Sequence, residues 1–233
     1  MTLNIDWSPL IISIKTAFLS TLITFIIGIS ISYIMSNYRG KYKGVIDGLL
    51  TLPLVLPPTV VGFFLLLLIG KNGYIGKLLL KFDTNLVFSW TATVIASTAV
   101  AFPMMYRTSR AAFEQIDSNM ISAARTLGLS EWKIFYKIAI PLAWPGIIAG
   151  IVLSFARALG EFGATLMIAG NIPGKTQTMP LAIFFAVEGG DMKKAIMWVL
   201  IITFISIIMI LILNRWSENQ QRTIGKTNRR EYR

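Results

Sequence analysis

Five apolar stretches, each long enough to cross the ~30 Å hydrocarbon core of a bilayer at about 1.5 Å per helical residue, constrain this chain more than any other feature. They run from about Leu10 to Met35, Leu49 to Ile69, Leu86 to Tyr106, Ile140 to Ile168 and Ala195 to Leu213. With 55% of its 233 residues hydrophobic, the chain is too apolar for a soluble domain and too short for two membrane domains. The expected fold is all-α: a polytopic integral membrane protein with one transmembrane domain over 1–215 and a polar, basic tail over 216–233. Lys15 falls near the start of the first stretch, where its stem can snorkel to the interface. Leu181 to Val187 is apolar but too short to span. A short outer or re-entrant helix suits 169–194 better than a sixth crossing, which is the alternative.

The basic residues set the orientation. With the N-terminus outside, the inner segments 36–44, 107–139 and 214–233 hold fourteen Lys and Arg and the outer segments hold six. Every Arg except Arg157 then lies inside, and the C-terminus is cytoplasmic. A net charge of +11 could suggest nucleic acid. The basic residues are scattered between spans, however, without one stripe of interleaved aromatics, so no nucleic-acid partner is expected. The tail Ser217 to Arg233 has little to bury and is expected to lack structure or to lie on anionic membrane lipid. Met1 to Ser8 has no Lys or Arg, unlike the basic start of a cleavable signal. There is no Cys and no His. That excludes a disulfide framework, thiolate or imidazole metal ligation and Ser-His or Cys-His catalysis, so neither a catalytic nor a metal site is expected.

Between the third and fourth stretches lies a segment, Asp117 to Pro141, too polar to enter the bilayer. It reads as helix, turn, helix. Asp117 or Ser118 can cap a first helix through Thr126, Gly128 can end it at positive φ, and Ser130 can cap a second from Glu131 to Ile138, before Pro141. Ala123 and Ala124 place two small side chains side by side, a surface another protein can approach closely. The plain alternative is an ordinary surface hairpin.

These residues resemble the cytoplasmic loop of bacterial ATP-binding-cassette importer permeases. That family's pattern is Glu-Ala-Ala, three residues, Gly, nine residues, Ile, one residue, Leu-Pro. Here Ala123, Ala124, Gly128, Ile138 and Pro141 keep every spacing, with Ser122 in place of Glu and Ile140 in place of Leu. The resemblance implies that the loop docks on a separate ATPase subunit and passes its motion to the membrane helices. Ser122, Ala123, Ala124, Gly128, Glu131 and Trp132 are the implied coupling residues. It further implies a multi-pass protein of the bacterial cell membrane, with ATP and Mg held by the partner ATPase and no cofactor on this chain.

Two other segments are candidates for a solute path. In the second stretch Pro53, Pro57 and Pro58 remove three amide donors before Thr59 and Gly62, freeing carbonyls that lipid cannot satisfy. A broken helix facing a cavity and a kink needed only for packing both fit. In the fourth stretch Gly146 and Gly150 have the four-residue spacing of a close helix interface. Arg157 and Glu161 are costly in a bilayer unless paired or hydrated. Four apart, they can neutralise each other and fix packing, or Arg157 can attract a passing anion. Thr59, Ser89, Thr91, Thr93 and Thr165 could donate to an oxyanion.

Leu52 to Gly62, Phe155 to Thr165 and Gly170 to Thr178, in order with the loop, are similar to the molybdate importer permeases. That resemblance implies a homodimer around a central path, served by an extracytoplasmic molybdate-binding protein. Tungstate is physically almost indistinguishable, and sulfate permeases share the Gly160 to Ala164 run. Pro57, Pro58, Thr59, Arg157, Glu161 and Thr165 are the candidate pathway residues. An ion-coupled transporter would need an acidic relay, and Glu161 has no partner acid within the spans.

Residues 169–176 loosely fit a phosphate loop through Gly174, Lys175 and Thr176, but Ala169 stands where Gly is required and Pro173 deletes an amide. Nucleotide binding there is not expected.

Overall fold

A computed structural model describes residues 6–82 and 85–231 of the chain, with side chains described through 212 and at Arg215. Among the described residues there are helices and no strand. In chain order they are α1 Ser8–Asn37, α2 Lys43–Val55, α3 Pro58–Ile69, α4 Tyr74–Leu80, α5 Trp90–Glu114, α6 Ser118–Thr126, α7 Glu131–Ile134, α8 Ile140–Leu159, α9 Gly163–Ala169, α10 Met179–Glu188 and α11 Met192–Glu231.

The helix α5 forms the axis, packed along α1 on one side and α8 on the other. Its Thr91, Thr93, Ser97 and Thr98 make it too polar to face lipid, and its 25 residues give it a length of about 38 Å, enough to cross. Small residues let its neighbours close around it. Met105 is fully buried, and a Cβ added at Gly28 of α1 or at Gly150 of α8 would come within 2.7 and 3.0 Å of its side chain. Gly146 approaches Ala112 in the same way, so the expected Gly146/Gly150 interface is formed, on α5. Hydroxyls tie the helices together: Ser20 donates to the Val94 carbonyl at 3.1 Å, Ser32 to the Tyr106 carbonyl at 2.8 Å, and Thr16 meets Thr93 at 3.0 Å.

Three helical segments, Ser8–Asn37, Glu131–Leu159 and Met192–Ile212, are apolar and long enough to cross a membrane, and α2 with α3 make a fourth if they count as one span. Several expected boundaries change. The second stretch is no single helix: α2 and α3 meet at 114° across Leu56 and Pro57, with Pro58 at the start of α3, where a missing amide is harmless. The third runs on to Glu114, so helix extends well past Tyr106. The fourth stops at Leu159 rather than Ile168, because Gly160 and Gly163 weaken the helix and the Glu161 carboxylate takes the Ala164 amide at 2.7 Å to begin α9.

Pro141 does not stop the helix after Ile138. A π-turn over Phe135–Ala139 shifts the hydrogen-bond register, Ile140 donating to the Phe135 carbonyl, and places Pro141 in the first turn of α8. The tail, expected either to lack structure or to lie on anionic lipid, is helical and continues α11 through Glu231. A helix already nucleated within an apolar span extends easily into Glu, Gln and Arg.

α3 and α9 also approach closely, for a Cβ on Gly62 would come within 2.8 Å of the Ala164 Cα. Gly62→Ala should therefore cost about 1–3 kcal/mol by overpacking. Gly48→Ala on α2, where a Cβ meets nothing within 4 Å, should be neutral or gain up to about 1 kcal/mol of helix propensity. Thermal unfolding midpoints in detergent should move in these opposite directions.

Candidate functional site

The elbow between α5 and α8 is built as its sequence suggests. Asp117 caps α6 by accepting the Asn119 amide at 2.8 Å. After Thr126 the chain reverses at Gly128, φ +77°, with the Gly128 amide bonded to the Arg125 carbonyl at 2.9 Å and the Leu129 amide to the Ala124 carbonyl at 3.2 Å. Ser130 occupies the cap position of α7, but its side chain makes no capping bond there, contrary to expectation. A clamp closes the turn instead. Arg125 Nε and Nη2 bond both carboxylate oxygens of Glu131 at 2.7 and 3.2 Å, holding α6 to α7 and placing a negative charge at the start of α7.

Ala123 and Ala124 do not share one face. Ala124 is buried and Ala123 is exposed, since neighbours in a helix diverge by about 100°. The open surface is completed by larger side chains, with Leu127 81%, Trp132 73% and Tyr136 66% exposed beside exposed Ser122. Among α6 residues only Ala124 is buried, and clefts of about 380 and 550 Å³ flank the helix. Leu127 and Tyr136 were missed at the level of sequence because an apolar residue in a turn carries no signal of exposure.

A second cluster lies where α3, α8 and α9 meet. Arg157 Nη1 is 2.7 Å from Glu161 Oε2, and Glu161, 2% exposed, gives its other oxygen to the Ala164 amide. The ion pair thus forms despite the less favourable Arg-before-Glu order, because the carboxylate sits beyond the end of α8 and serves both helices. Gly163 packs against Pro58 and Thr59 at the start of α3, so the two broken segments adjoin. Pro57 and Thr59 are exposed, and Thr165 is fully buried with no partner for its hydroxyl among the described residues. The other candidate donors are engaged locally. Ser89 and Thr91 bond each other, and Thr93 bonds the Trp90 carbonyl and Thr16.

In the loop 170–177, the amides of Lys175, Thr176 and Gln177 all donate to the Ile172 carbonyl, and the segment before it is helix α9. Amides spent on their own backbone cannot cradle a phosphate.

An all-helical membrane fold with an exposed elbow between spans and paired helix breaks defines a class of transport subunit. Residues 9–226 match the family described as the inner membrane component of binding-protein-dependent transport systems, and the chain belongs to that family. It is 43% identical over 210 residues to the putative molybdenum transport system permease protein YvgM of Bacillus subtilis (strain 168), covering 90% of this chain and 92% of that protein. It is 39% identical over 214 residues to the molybdenum transport system permease protein ModB of Escherichia coli (strain K12), covering 91% and 93%. With the sulfate transport system permease protein CysT of the same organism the identity is 32%, over 87% of this chain and 73% of that one. The fold matches a chain of the MetNI methionine ABC transporter in its inward-facing conformations, with TM-score 0.71 at 14% identity, over 94% of this chain and 99% of that one.

The hydrogen bonds from Arg125 hold the Glu131 carboxyl below its ordinary value of 4.5. A lowered folded-state value means the clamp contributes fully above about pH 4.5 and is lost as pH falls through the folded value. Hydrogen exchange at the turn amides, corrected for intrinsic rates, should accelerate below that point. Glu131→Gln should remove the pH dependence and leave the turn amides fast at every pH.

Proposed function

We propose that this chain is the membrane-spanning permease subunit of an ATP-driven molybdate importer, with tungstate carried equally well. Two copies surround a central path, two cytoplasmic ATPase subunits dock beneath, and a binding protein delivers the anion from outside. The N-terminus is extracytoplasmic and the C-terminus cytoplasmic, as the excess of Lys and Arg in the inner segments favours.

The exposed elbow carries this reading. An elbow whose first helix has a single buried residue, stiffened by the Arg125–Glu131 clamp and presenting Leu127, Trp132 and Tyr136 to water, is unstable as free surface and suited to insertion into a groove on another protein. Closure of the ATPase subunits on ATP would draw the elbow with them. Because only Gln115, Ile116 and Asp117 separate α5 from α6, and α7 passes through the π-turn into α8, that displacement reaches both α5 and α8. The halves then open outward, receive the anion, and return after hydrolysis. Molybdate is favoured over sulfate because the likeness to the molybdenum permeases is higher in identity and extends over nearly their whole length.

Gly128→Val should leave membrane insertion unchanged and abolish ATP-dependent molybdate uptake, since a β-branched residue resists positive φ, while Gly128→Asn should retain uptake. Full uptake by the valine variant would overturn the coupling role. Excess sulfate should leave uptake of labelled molybdate unchanged, and strong competition would transfer the assignment to sulfate.

A further inference from the structure

α2 is attached to the bundle in an unusual way. None of its described residues is buried, and none belongs to any of the three apolar core clusters. What ties it to α5 is polar. Asp47 accepts a hydrogen bond from the Tyr106 hydroxyl at 2.7 Å and pairs with Arg110 Nη1. Arg110 also donates to the Tyr106 hydroxyl at 3.1 Å and through Nε to Glu114 at 2.9 Å, and Lys43 Nζ stands 3.6 Å from the same Glu114 oxygen. Tyr106 is fully buried and the Arg110 side chain is 17% exposed, so α5 supplies a fixed seat and α2 supplies the movable partner.

The position of this network matters as much as its bonds. Glu114 is the last residue of α5, and only Gln115, Ile116 and Asp117 separate it from α6, the helix of the elbow. At its other end α2 runs into the 114° break, beyond which Pro58 and Thr59 abut Gly163 beside the Arg157–Glu161 pair. With none of its side chains fully buried, α2 follows a shift of the α5 terminus through these charges. One guanidinium shared among Asp47, the Tyr106 hydroxyl and Glu114 passes a displacement of α5 to α2.

We propose that Asp47 and Arg110 are positioning residues for transport, carrying motion of the α6 elbow to α2 and through it to the α3–α9 junction. The inference rests on the reading that a separate ATPase drives this chain. A merely structural staple would affect folding and assembly; a transmission element affects the number of anions moved per ATP.

The test uses the full complex of permease, ATPase and binding protein in proteoliposomes, with molybdate uptake and phosphate release measured together. Asp47→Asn should assemble and hydrolyse ATP as the parent does, while molybdate imported per ATP falls by about tenfold. Asp47→Glu should restore the ratio. Tyr106→Phe, which removes the two hydrogen bonds of the hydroxyl and keeps the ion pair, should give an intermediate ratio. An unchanged ratio in Asp47→Asn, a parallel fall in uptake and hydrolysis, or failure of both Asp47→Asn and Tyr106→Phe to assemble would each overturn the inference. If the parent complex itself imports no molybdate with ATP, the functional reading fails, and the inference with it.

Discussion

Met105, held between Gly28 and Gly150, is the contact on which the rest of the bundle depends. In a bilayer, lipid is as apolar as any helix face, so helices associate through close van der Waals fit and a few hydrogen bonds. Glycine on both flanking helices brings two backbones against one side chain. That approach lets Ser20 and Ser32 of α1 reach carbonyls of α5, satisfying hydroxyls that lipid would leave bare. Only a helix enclosed in this way could carry so many hydroxyls across a membrane, and α5 is polar for the same reason that it is central.

A stiff axis makes the loosely held parts mechanically useful. Among the described residues α2 has no buried side chain and α6 has one, whereas α5 is buried along its length. Displacement of a well-packed helix moves its neighbours with it, because close-packed interiors transmit strain. Displacement of α6 alone would be absorbed in the clefts beside it. The Arg125–Glu131 clamp limits that loss by fixing α6 to α7, and the π-turn carries α7 into α8 without a flexible linker.

The spans, the elbow and its Gly128 turn were legible in the sequence because each rests on a local rule: apolar length, capping and the αL preference of glycine. The Arg157–Glu161 pair was legible for the same reason, being four residues apart. The Asp47–Arg110 network was not, since its partners are 63 residues apart and periodicity carries no information across a break. Likewise Pro141 was read as a stop, because proline in a helix costs one bond wherever the register cannot shift, and here it shifts. The divergence of Ala123 and Ala124 followed from helical geometry and could have been read from spacing alone. The burial of Thr93 depended on knowing that α1 lies opposite.

The junction of α3 with α9 combines irregular backbone with a nearly neutral charge balance, and the two belong together. Backbone amides freed by a helix break at membrane depth need partners within the protein. Here Val60 and Val61 return to the Pro57 carbonyl, and Ala164 turns to Glu161. A carboxylate buried in that role is costly unless its charge is balanced, and the partly exposed Arg157 balances it.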